Sequence, residues 1–251
     1  MAINLDFTGK KVIVTGGANG IGKAIAEGVV KAGGFVIIAD LNETAAEKVR
    51  AELGEENAAV YKVDLGNSSE IREVFSRILE EQGQIHVLVN NAGIVSTVPF
   101  EEISQEEWDR IVAINLTGVY AALQVVYPAM KEAGYGRIVN TASVAGKIGG
   151  GLLGTSAYAA TKSGVIGLSK AIAKEGAKYG IACNAVCPSL TKTSMTANMG
   201  EEKYKRIVSG IPMGRPADPS EVANVILFYA SDLASFVTGE VADVDGGITM
   251  D

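Results

Sequence analysis

Short apolar runs alternate with helix-length amphipathic segments along almost the whole chain, and this alternation restricts the possible fold more than any other feature. The runs are rich in β-branched residues and are flanked by Gly, Asp or Asn, which is typical of fully buried parallel strands. The predicted strands are KVIVTG (11–16), FVIIAD (35–40), AVYKVD (59–64), HVLVNNA (86–92), GRIVNTAS (136–143), IACNAVCP (181–188) and VADVDGG (241–247). The predicted helices are 20–32, 42–53, 68–82, 104–131, 157–179 and 219–231. Strands and helices that alternate over short connections predict an α/β fold, with a parallel sheet covered by helices on both faces.

The chain shows no sign of division into several domains. No linker rich in Pro, Gly or Ser interrupts it and no internal repeat occurs, so we predict one domain over residues 1–251. A TIM barrel is the competing architecture at this length, but the first strand–helix crossover argues against it. The least regular segment, 189–214, follows the sixth predicted strand and is long enough to be a lid.

Charge and composition exclude several classes of function. The net charge of −7, with Lys and Arg scattered, provides no basic face for nucleic acid. No apolar run reaches the roughly 18 residues of a membrane span. His86 is the only histidine, so we predict no metal site and no Ser-His triad, and a structural role for His86 itself. Cys183 and Cys187 lie in one apolar strand, where we expect buried free thiols in a cytoplasmic protein.

The first crossover contains the glycine-rich turn TGGANGIG, from Thr15 to Gly22. Gly16 suits a tight turn, while Gly20 and Gly22 let the backbone approach a pyrophosphate and let the helix pack close to the sheet. The amino end of the following helix then faces the negative charge of the ligand. A strand, a glycine turn and a helix in this order predict a dinucleotide-binding site.

The acidic residue at the end of the second strand predicts which dinucleotide binds. A carboxylate at Asp40 accepts hydrogen bonds from the adenosine ribose and repels a 2′-phosphate. Asp40 is also suited to cap the next helix, and the two roles are compatible. The glycine turn carries Asn19 where a cation for the 2′-phosphate would be expected. We therefore predict NAD as the cofactor.

Further motifs follow in a characteristic order: VDL (63–65), NNAG (90–93), INLTG (114–118), Ser143, YAATK (158–162) and CNAVCP (183–188). Together with the glycine turn they make the chain resemble the short-chain dehydrogenase/reductase family over nearly its full length. The resemblance implies a doubly wound Rossmann fold with seven parallel strands in a single domain. It also implies a small-molecule substrate and assembly as a homotetramer or dimer.

The resemblance assigns roles to individual residues. It implies a catalytic tetrad of Asn115, Ser143, Tyr158 and Lys162. The predicted cofactor-binding residues are Gly16, Asn19, Gly20, Ile21, Gly22, Asp40, Asp64, Leu65, Asn91, Gly93, Tyr158, Lys162, Thr191 and Thr193. The predicted substrate-contacting residues are Ser96, Ser143, Leu152, Leu153 and Met195.

Tyr158 and Lys162 are four residues apart and therefore share a helix face. A free tyrosine has a pKa of about 10, but a nearby ammonium and the positive nicotinamide ring both favour the phenolate. We therefore expect the pKa of Tyr158 to fall towards neutral pH, so that its oxygen exchanges a proton with the substrate. Ser143 would hydrogen-bond the substrate oxygen, and Lys162 would also hold the nicotinamide ribose.

The chain departs from the family pattern in three places. Ser189 replaces a usual Gly, and Thr191 replaces a usual aliphatic residue beside the carboxamide. The segment between Ser143 and Tyr158 is longer than usual, which favours a reshaped apolar pocket, although a harmless surface insertion explains it as well. The two basic docking residues of the family's carrier-dependent ketoacyl reductases align with Gly134 and Tyr179.

We predict an NAD(H)-dependent oxidoreductase that interconverts a secondary alcohol and a ketone. The apolar loops favour a ring-bearing substrate, such as a hydroxysteroid or an alicyclic alcohol. The alternative is a 3-ketoacyl thioester reductase, which the missing docking pair and the negative net charge disfavour. A non-catalytic dinucleotide-binding sensor is a third hypothesis, and the complete tetrad argues against it.

Overall fold

The computed structural model describes residues 4–150, 154–193, 196 and 199–250. Its strands are β1 Lys11–Thr15, β2 Phe35–Asp40, β3 Ala58–Lys62, β4 Val87–Asn90, β5 Gly136–Thr141, β6 Ile181–Pro188 and β7 Val241–Val244. Its helices are α1 Gly20–Lys31, α2 Glu43–Leu53, α3 Ser68–Gln82, α4 Gln105–Val112, α5 Gly118–Ala133, α6 Val144–Ile148, α7 Ser156–Gly176, α8 Glu201–Ser209 and α9 Pro219–Ala230. All seven predicted strands are present within a few residues of their expected bounds.

The strands form one parallel sheet in the order β3-β2-β1-β4-β5-β6-β7. The chain first builds outwards from β1 to β3 and then returns to add β4 on the other side of β1. In a sheet of this kind, ligands bind outside the carboxyl ends of the strands where the order reverses. The doubly wound Rossmann fold is confirmed, and the TIM barrel is excluded.

Side chains alternate along each strand between two apolar cores. Ile13 packs in the core beneath α3, α5 and α7, whereas its neighbours Val12 and Val14 pack in the core beneath α1, α2 and α9. This is the two-residue period of a pleated strand that is buried on both faces. It explains why the strands read as continuous apolar runs in the sequence.

The predicted helix 104–131 is two helices joined by a π-helical turn, Ala113–Thr117. The combined stretch Gln105–Ala133 is long and apolar enough to cross a membrane by length and composition. Buried residues of α5, such as Val126 and Met130, instead pack in the same core as α3 and α7. In this fold the stretch therefore packs as a core helix.

Two helices were missing from the sequence-based prediction. α6 has only five residues, and α8 lies inside the segment 189–214 that we predicted to be irregular. Ile207 of α8 packs with Leu190 and Ile211 in a small separate cluster. These contacts stabilise α8 through tertiary packing, which a short and strongly charged segment does not reveal in its sequence.

Candidate active site

A cleft with a volume of about 400 Å³ lies at the carboxyl ends of the strands. Its walls come from the segments that follow β1 to β6, in agreement with the rule for doubly wound sheets. Nearly all predicted cofactor-binding residues line it: Gly16, Asn19, Gly20, Ile21, Asp40, Asp64, Leu65, Asn91, Gly93, Tyr158, Lys162, Thr191 and Thr193. The fold thus brings together residues as distant in the chain as Gly16 and Thr193, which are 177 positions apart.

The glycine turn requires its glycines. Gly16 and Gly20 have φ angles of +65° and +52°, a region that L side chains rarely adopt. A Cβ atom on Gly22 would lie 2.0 Å from the carbonyl oxygen of Gly16. Gly22 does not line the cleft itself and instead allows the tight packing of α1 against the turn. The backbone at the start of α1 is consequently free to approach a ligand phosphate.

Asp40 is held by backbone hydrogen bonds at the edge of the cleft. Its two carboxylate oxygens accept from the N–H groups of Ala18, at 3.0 Å, and Asn42, at 2.9 Å. The cap of α2 is Asn42, which accepts from Ala45 N–H, so the suggested capping role of Asp40 was wrong. Asp40 therefore ties the glycine turn to β2 and presents a fixed negative charge. Among the described residues that line the cleft, Lys162 is the only cation.

The segment after β4 is tied to the glycine turn. The Thr15 hydroxyl accepts from the N–H groups of Asn91, at 2.9 Å, and Ala92, at 3.1 Å. The Asn91 amide donates to the carbonyl oxygens of Thr15 and Gly16. On the far side of β1, the Asp64 carboxylate accepts from Gly66 N–H at 2.8 Å. These bonds hold this part of the cleft wall in a fixed position.

Asn115 lies in the π-helical turn and is completely buried. Its side-chain oxygen accepts from Ile94 N–H at 2.9 Å, and its amide nitrogen donates to Ile94 C=O at 2.8 Å. The same nitrogen also donates to the Thr161 hydroxyl at 3.3 Å. π-helical turns are rare and are common at functional sites. Here the turn links the segment after β4 to α7, the helix that carries Tyr158 and Lys162.

Ser143 follows β5 and caps the amino end of α6. Its hydroxyl oxygen accepts from Ala145 N–H at 3.1 Å, which leaves the hydroxyl hydrogen available for donation. The Tyr158 hydroxyl lies within hydrogen-bonding reach of it. Burial raises the pKa of Tyr158, and the interaction with Ser143 opposes this shift. Two hydroxyl groups thus meet at the centre of the cleft wall.

Lys162 is 3% exposed, and its ammonium donates to the carbonyl oxygen of Thr141 at 2.7 Å. Burial lowers the pKa of Lys162 to about 8. The expected lowering of the Tyr158 pKa is not found in the protein alone. Burial is the largest influence on the phenol, and the ammonium of Lys162 is 5.8 Å from its ring centroid. Desolvation therefore outweighs the opposing hydrogen bond with Ser143.

The departures from the family pattern in the loop after β6 have a structural explanation. The Ser189 hydroxyl donates to the carbonyl oxygen of Asp245 at 3.0 Å and so ties this loop to the loop after β7. The Thr191 hydroxyl donates to Ser189 C=O at 3.2 Å. Both extra hydroxyl groups are satisfied by the backbone, so neither is a spare polar group facing the ligand.

The predicted substrate contacts are only partly supported. Ser143 lines the cleft, but Ser96 is 1% exposed and its side chain is not on the cleft wall. The Ser96 carbonyl oxygen instead accepts from Thr155 N–H at 3.0 Å, which ties the segment after β4 to the start of α7. Leu152, Leu153 and Met195 lie outside the described residues.

Several apolar wall residues were not anticipated from the sequence. Each lies within or just after a recognised motif or strand end, and that position was the available signal. They are Ile94, Val95, Ile114 and Val144.

The two buried cysteines and the histidine behave as expected. Cys183 and Cys187 are free thiols, and burial raises their pKa values to about 12 and about 11. His86 accepts from Lys11 N–H through Nδ1 at 3.0 Å, at the opposite end of the sheet from the cleft. Among the described residues, no group of three or more His, Cys, Asp or Glu side chains could hold a metal ion.

Three features define the site of a nicotinamide-dependent α/β oxidoreductase. They are the glycine turn, Asp40 at the end of β2, and the Ser143–Tyr158–Lys162 cluster. A family model described as "Enoyl-(Acyl carrier protein) reductase" matches residues 16–249. The chain belongs to the short-chain dehydrogenase/reductase family, whose members bind a nicotinamide dinucleotide and small-molecule substrates, act on CH–OH groups and are commonly oligomeric.

Curated relatives match over nearly their whole length. The 3-oxoacyl-[acyl-carrier-protein] reductase FabG of Thermotoga maritima is 39% identical, over 96% of this chain and 98% of its own. The acetoacetyl-CoA reductase of Shinella zoogloeoides is 38% identical, over 94% and 96%. FabG of Escherichia coli is 37% identical, over 98% and 100%. A crystal structure described as that of gox2181 superimposes with a TM-score of 0.94, at 36% identity and 97% coverage of both chains.

Proposed function

We propose that this protein reversibly reduces a 3-oxoacyl thioester to the 3-hydroxyacyl thioester with NAD(H). The observation that carries the proposal is the cluster of Ser143, Tyr158 and Lys162 in the dinucleotide cleft of a chain that is 37–39% identical to reductases of such thioesters. The sequence alone favoured a hydroxysteroid or an alicyclic alcohol. The relatives favour the thioester, since two of their printed substrates, 3-oxoacyl-[acyl-carrier-protein] and acetoacetyl-CoA, share the 3-oxoacyl group.

The residues of the cleft fit a nicotinamide dinucleotide. Gly16 and Gly20 line the cleft without side chains, and the close packing of Gly22 on Gly16 holds α1 against the turn, near the place of a pyrophosphate. Asn19, the residue before α1, makes no capping hydrogen bond through its side chain, so the first N–H groups of α1 can face the ligand. Asp40 would bind the adenosine ribose, Asp64 and Leu65 would lie near the adenine, and Lys162 would hold the second ribose.

The chemistry divides between the dinucleotide and the protein. The bound dinucleotide supplies or accepts the hydride. The Ser143 hydroxyl donates a hydrogen bond to the ketone oxygen and stabilises the negative charge that develops there. The Tyr158 hydroxyl gives its proton to that oxygen in reduction and takes it back in oxidation. The ammonium of Lys162, buried behind Tyr158, favours the phenolate that remains after proton transfer.

The charge of Asp40 supports NAD over NADP. Its carboxylate lies at the cleft edge with no Lys or Arg beside it among the described residues that line the cleft, so a 2′-phosphate would meet an uncompensated negative charge.

The two buried free thiols support a reducing, cytoplasmic location. Trp108 on α4 and Tyr120 on α5 are exposed aromatic side chains, which supports their burial in a homo-oligomer, a dimer or tetramer; light scattering would test this.

The carrier of the acyl group is the least defined part of the substrate. Tyr179 occupies one of the two positions where carrier-dependent members of the family have a basic residue. The ammonium groups of Lys131 and Lys178 lie 4.3 Å and 5.0 Å from its ring centroid, so positive charge is retained beside that position. This arrangement supports some affinity for an acidic carrier protein, although the net charge of −7 opposes it.

A substrate panel tests the proposal. Initial rates with NADH and with NADPH would be measured for acetoacetyl-CoA, a 3-oxoacyl carrier-protein thioester, a cyclic ketone, a 3-oxosteroid and a ketose. We expect the highest kcat/KM for a thioester with NADH, and a kcat lower by roughly 10²–10⁴-fold for the Tyr158→Phe variant. A steroid or cyclic ketone with the highest kcat/KM would overturn the thioester proposal and restore the apolar-alcohol hypothesis, which the apolar wall of Ile94, Val95 and Val144 supports. NADH binding without turnover of any ketone would indicate the non-catalytic sensor.

A further inference from the structure

The helix that follows Ser143 is too short to be stable by itself. α6 has five residues and ends at Ile148. Gly149 and Gly150 follow it with φ angles of +83° and +104°. A helix of this length gains too few hydrogen bonds to offset the cost of its nucleation. The position of the Ser143 hydroxyl, which caps α6, therefore depends on the tertiary contacts that hold this helix.

One set of contacts comes from α7. A Cβ atom on Gly146 would lie 2.7 Å from the carbonyl carbon of Lys162, so the two helices approach closely. The Ser163 hydroxyl hydrogen-bonds the carbonyl oxygen of Gly146 at 2.6 Å. This side of α6 packs against the backbone of the helix that carries Tyr158 and Lys162.

The opposite set of contacts comes from the last strand. The Lys147 ammonium lies 2.6 Å from a carboxylate oxygen of Asp243, and the two side chains are only 16% and 17% exposed. The other carboxylate oxygen of Asp243 is buried and has no hydrogen-bond partner among the described residues. In the sheet, Asp243 is the register partner of Cys187, whose thiol lies beside the backbone of Ser143. The ion pair thus spans from β7 to α6 directly behind Ser143.

We propose that Lys147 and Asp243 form a positioning pair that sets the Ser143 hydroxyl relative to Tyr158. The inference rests on the proposed function, because it assigns to the pair an effect on ketone reduction. Taking charges out of water is unfavourable, so removing the ammonium of Lys147 deprives the largely buried Asp243 carboxylate of its ion-pair partner. Neither side chain lines the cleft, and the pair acts on the reaction only through the turn that carries Ser143.

The test is a double-mutant cycle with Ser143. Asp243→Asn should lower kcat roughly tenfold or more, because a displacement of about 1 Å in a catalytic group has effects of this size. Lys147→Met should do the same, and Lys147→Arg, which keeps the charge, should retain most of the activity. In a Ser143→Ala background, Asp243→Asn should cause no further loss, since the group that it positions is already absent.

Two measurements separate this role from a general structural one. The Kd for NADH, followed by fluorescence, should stay within about twofold of wild type in Asp243→Asn. The matched control is Glu47→Gln, which removes one partner of the exposed Arg50–Glu47 pair on α2 and should change neither kcat nor Kd. An equal fold loss of kcat in the wild-type and Ser143→Ala backgrounds, an NADH Kd that rises in proportion, or an unchanged kcat in Asp243→Asn would each overturn the proposal.

Failure of the positioning pair is distinguishable from failure of the proposed function. If wild type prefers another ketone of the panel, the thioester proposal fails and the cycle is measured with that ketone. If Asp243→Asn does not fold, the comparison of Lys147→Met with Lys147→Arg decides the question in the same way. Absence of turnover with every ketone overturns both proposals, because no reaction remains for the pair to influence.

Discussion

The ammonium group of Lys162 lies 5.8 Å from the centre of the Tyr158 ring, one helical turn away on α7. Its hydrogen bond goes to the carbonyl oxygen of Thr141 at the end of β5. The lysine therefore supports the tyrosine through its charge, which lies over the ring, and through its fixed position. Both groups are buried, and desolvation shifts both pKa values towards the neutral forms.

The first prediction concerns proton transfer by Tyr158. Tyr158→Phe keeps the ring but removes the hydroxyl that meets Ser143, so kcat should fall by roughly 10²–10⁴-fold. NADH affinity, measured by fluorescence, should remain close to wild type because the ring still lines the cleft. Tyr229→Phe, a substitution on α9 away from the cleft, is the control and should leave kcat unchanged. Near-normal turnover of Tyr158→Phe would mean that the tetrad has been assigned wrongly.

The second prediction concerns the buried charge of Lys162. Its pKa in the folded chain is about 8, below its ordinary value of 10.5. Below about pH 8 Lys162 is protonated in both the folded and the unfolded chain, so folding must bury a charged ammonium, which lowers the free energy of unfolding. Between about pH 8 and pH 10.5 the unfolded chain holds the proton and the folded chain has released it. The contribution of Lys162 to the free energy of unfolding therefore increases as the pH rises through this range.

The consequence is measurable by chemical unfolding. The free energy of unfolding of wild type should increase relative to that of Lys162→Met as the pH rises above about 8. Lys205→Met removes an exposed lysine of α8 and should show no such pH-dependent difference. A difference between wild type and Lys162→Met that is constant with pH would contradict the prediction. Lys162→Met should also weaken NADH binding, through the lost ribose contact, and lower kcat.

The third prediction concerns cofactor preference. NAD should be favoured over NADP by about 1–3 kcal/mol, the scale for a carboxylate that opposes a phosphate. Asp40→Asn removes the charge but keeps an oxygen acceptor for only one of the N–H groups of Ala18 and Asn42, so it should relax the preference at some cost in stability. Asp109→Asn, an exposed change on α4, is the control. The ratio of kcat/KM for the two cofactors measures the preference, and equal values for wild type would refute it.

The fourth prediction concerns the close approach of Gly154 to Tyr158. A Cβ atom on Gly154 would lie 2.2 Å from Cδ1 of the Tyr158 ring, so Gly154→Ala must displace the ring. We expect kcat to fall by roughly 10–100-fold, because the phenol leaves its productive position. Gly167→Ala introduces the same methyl group on α7 in open space and should leave kcat unchanged. Equal activities of the two variants would show that the ring position is not critical.

Local patterns were sufficient to predict the strands and the ligand-binding edge of the sheet. A buried parallel strand must be apolar on both faces, so each strand is recognisable from about five adjacent residues. The glycine turn and the YAATK motif are likewise local, since a tight turn and a shared helix face depend on neighbours in the chain. For this reason the α/β fold, the position of the cleft and most of its lining residues could be predicted from the sequence.

Only the tertiary structure decided the features that depend on distant contacts. The backbone of Ile94 hydrogen-bonds the side-chain amide of Asn115, which is 21 positions away in the chain. The Asp243 carboxylate accepts a hydrogen bond from the Lys147 ammonium, which is 96 positions away. The sequence does not show which of many polar residues will pair over such separations, nor that burial will dominate the pKa of Tyr158. It also does not show that Ser96 is buried and absent from the cleft wall. These outcomes depend on which groups the folded sheet brings together and removes from water, and that is determined only when the whole chain packs.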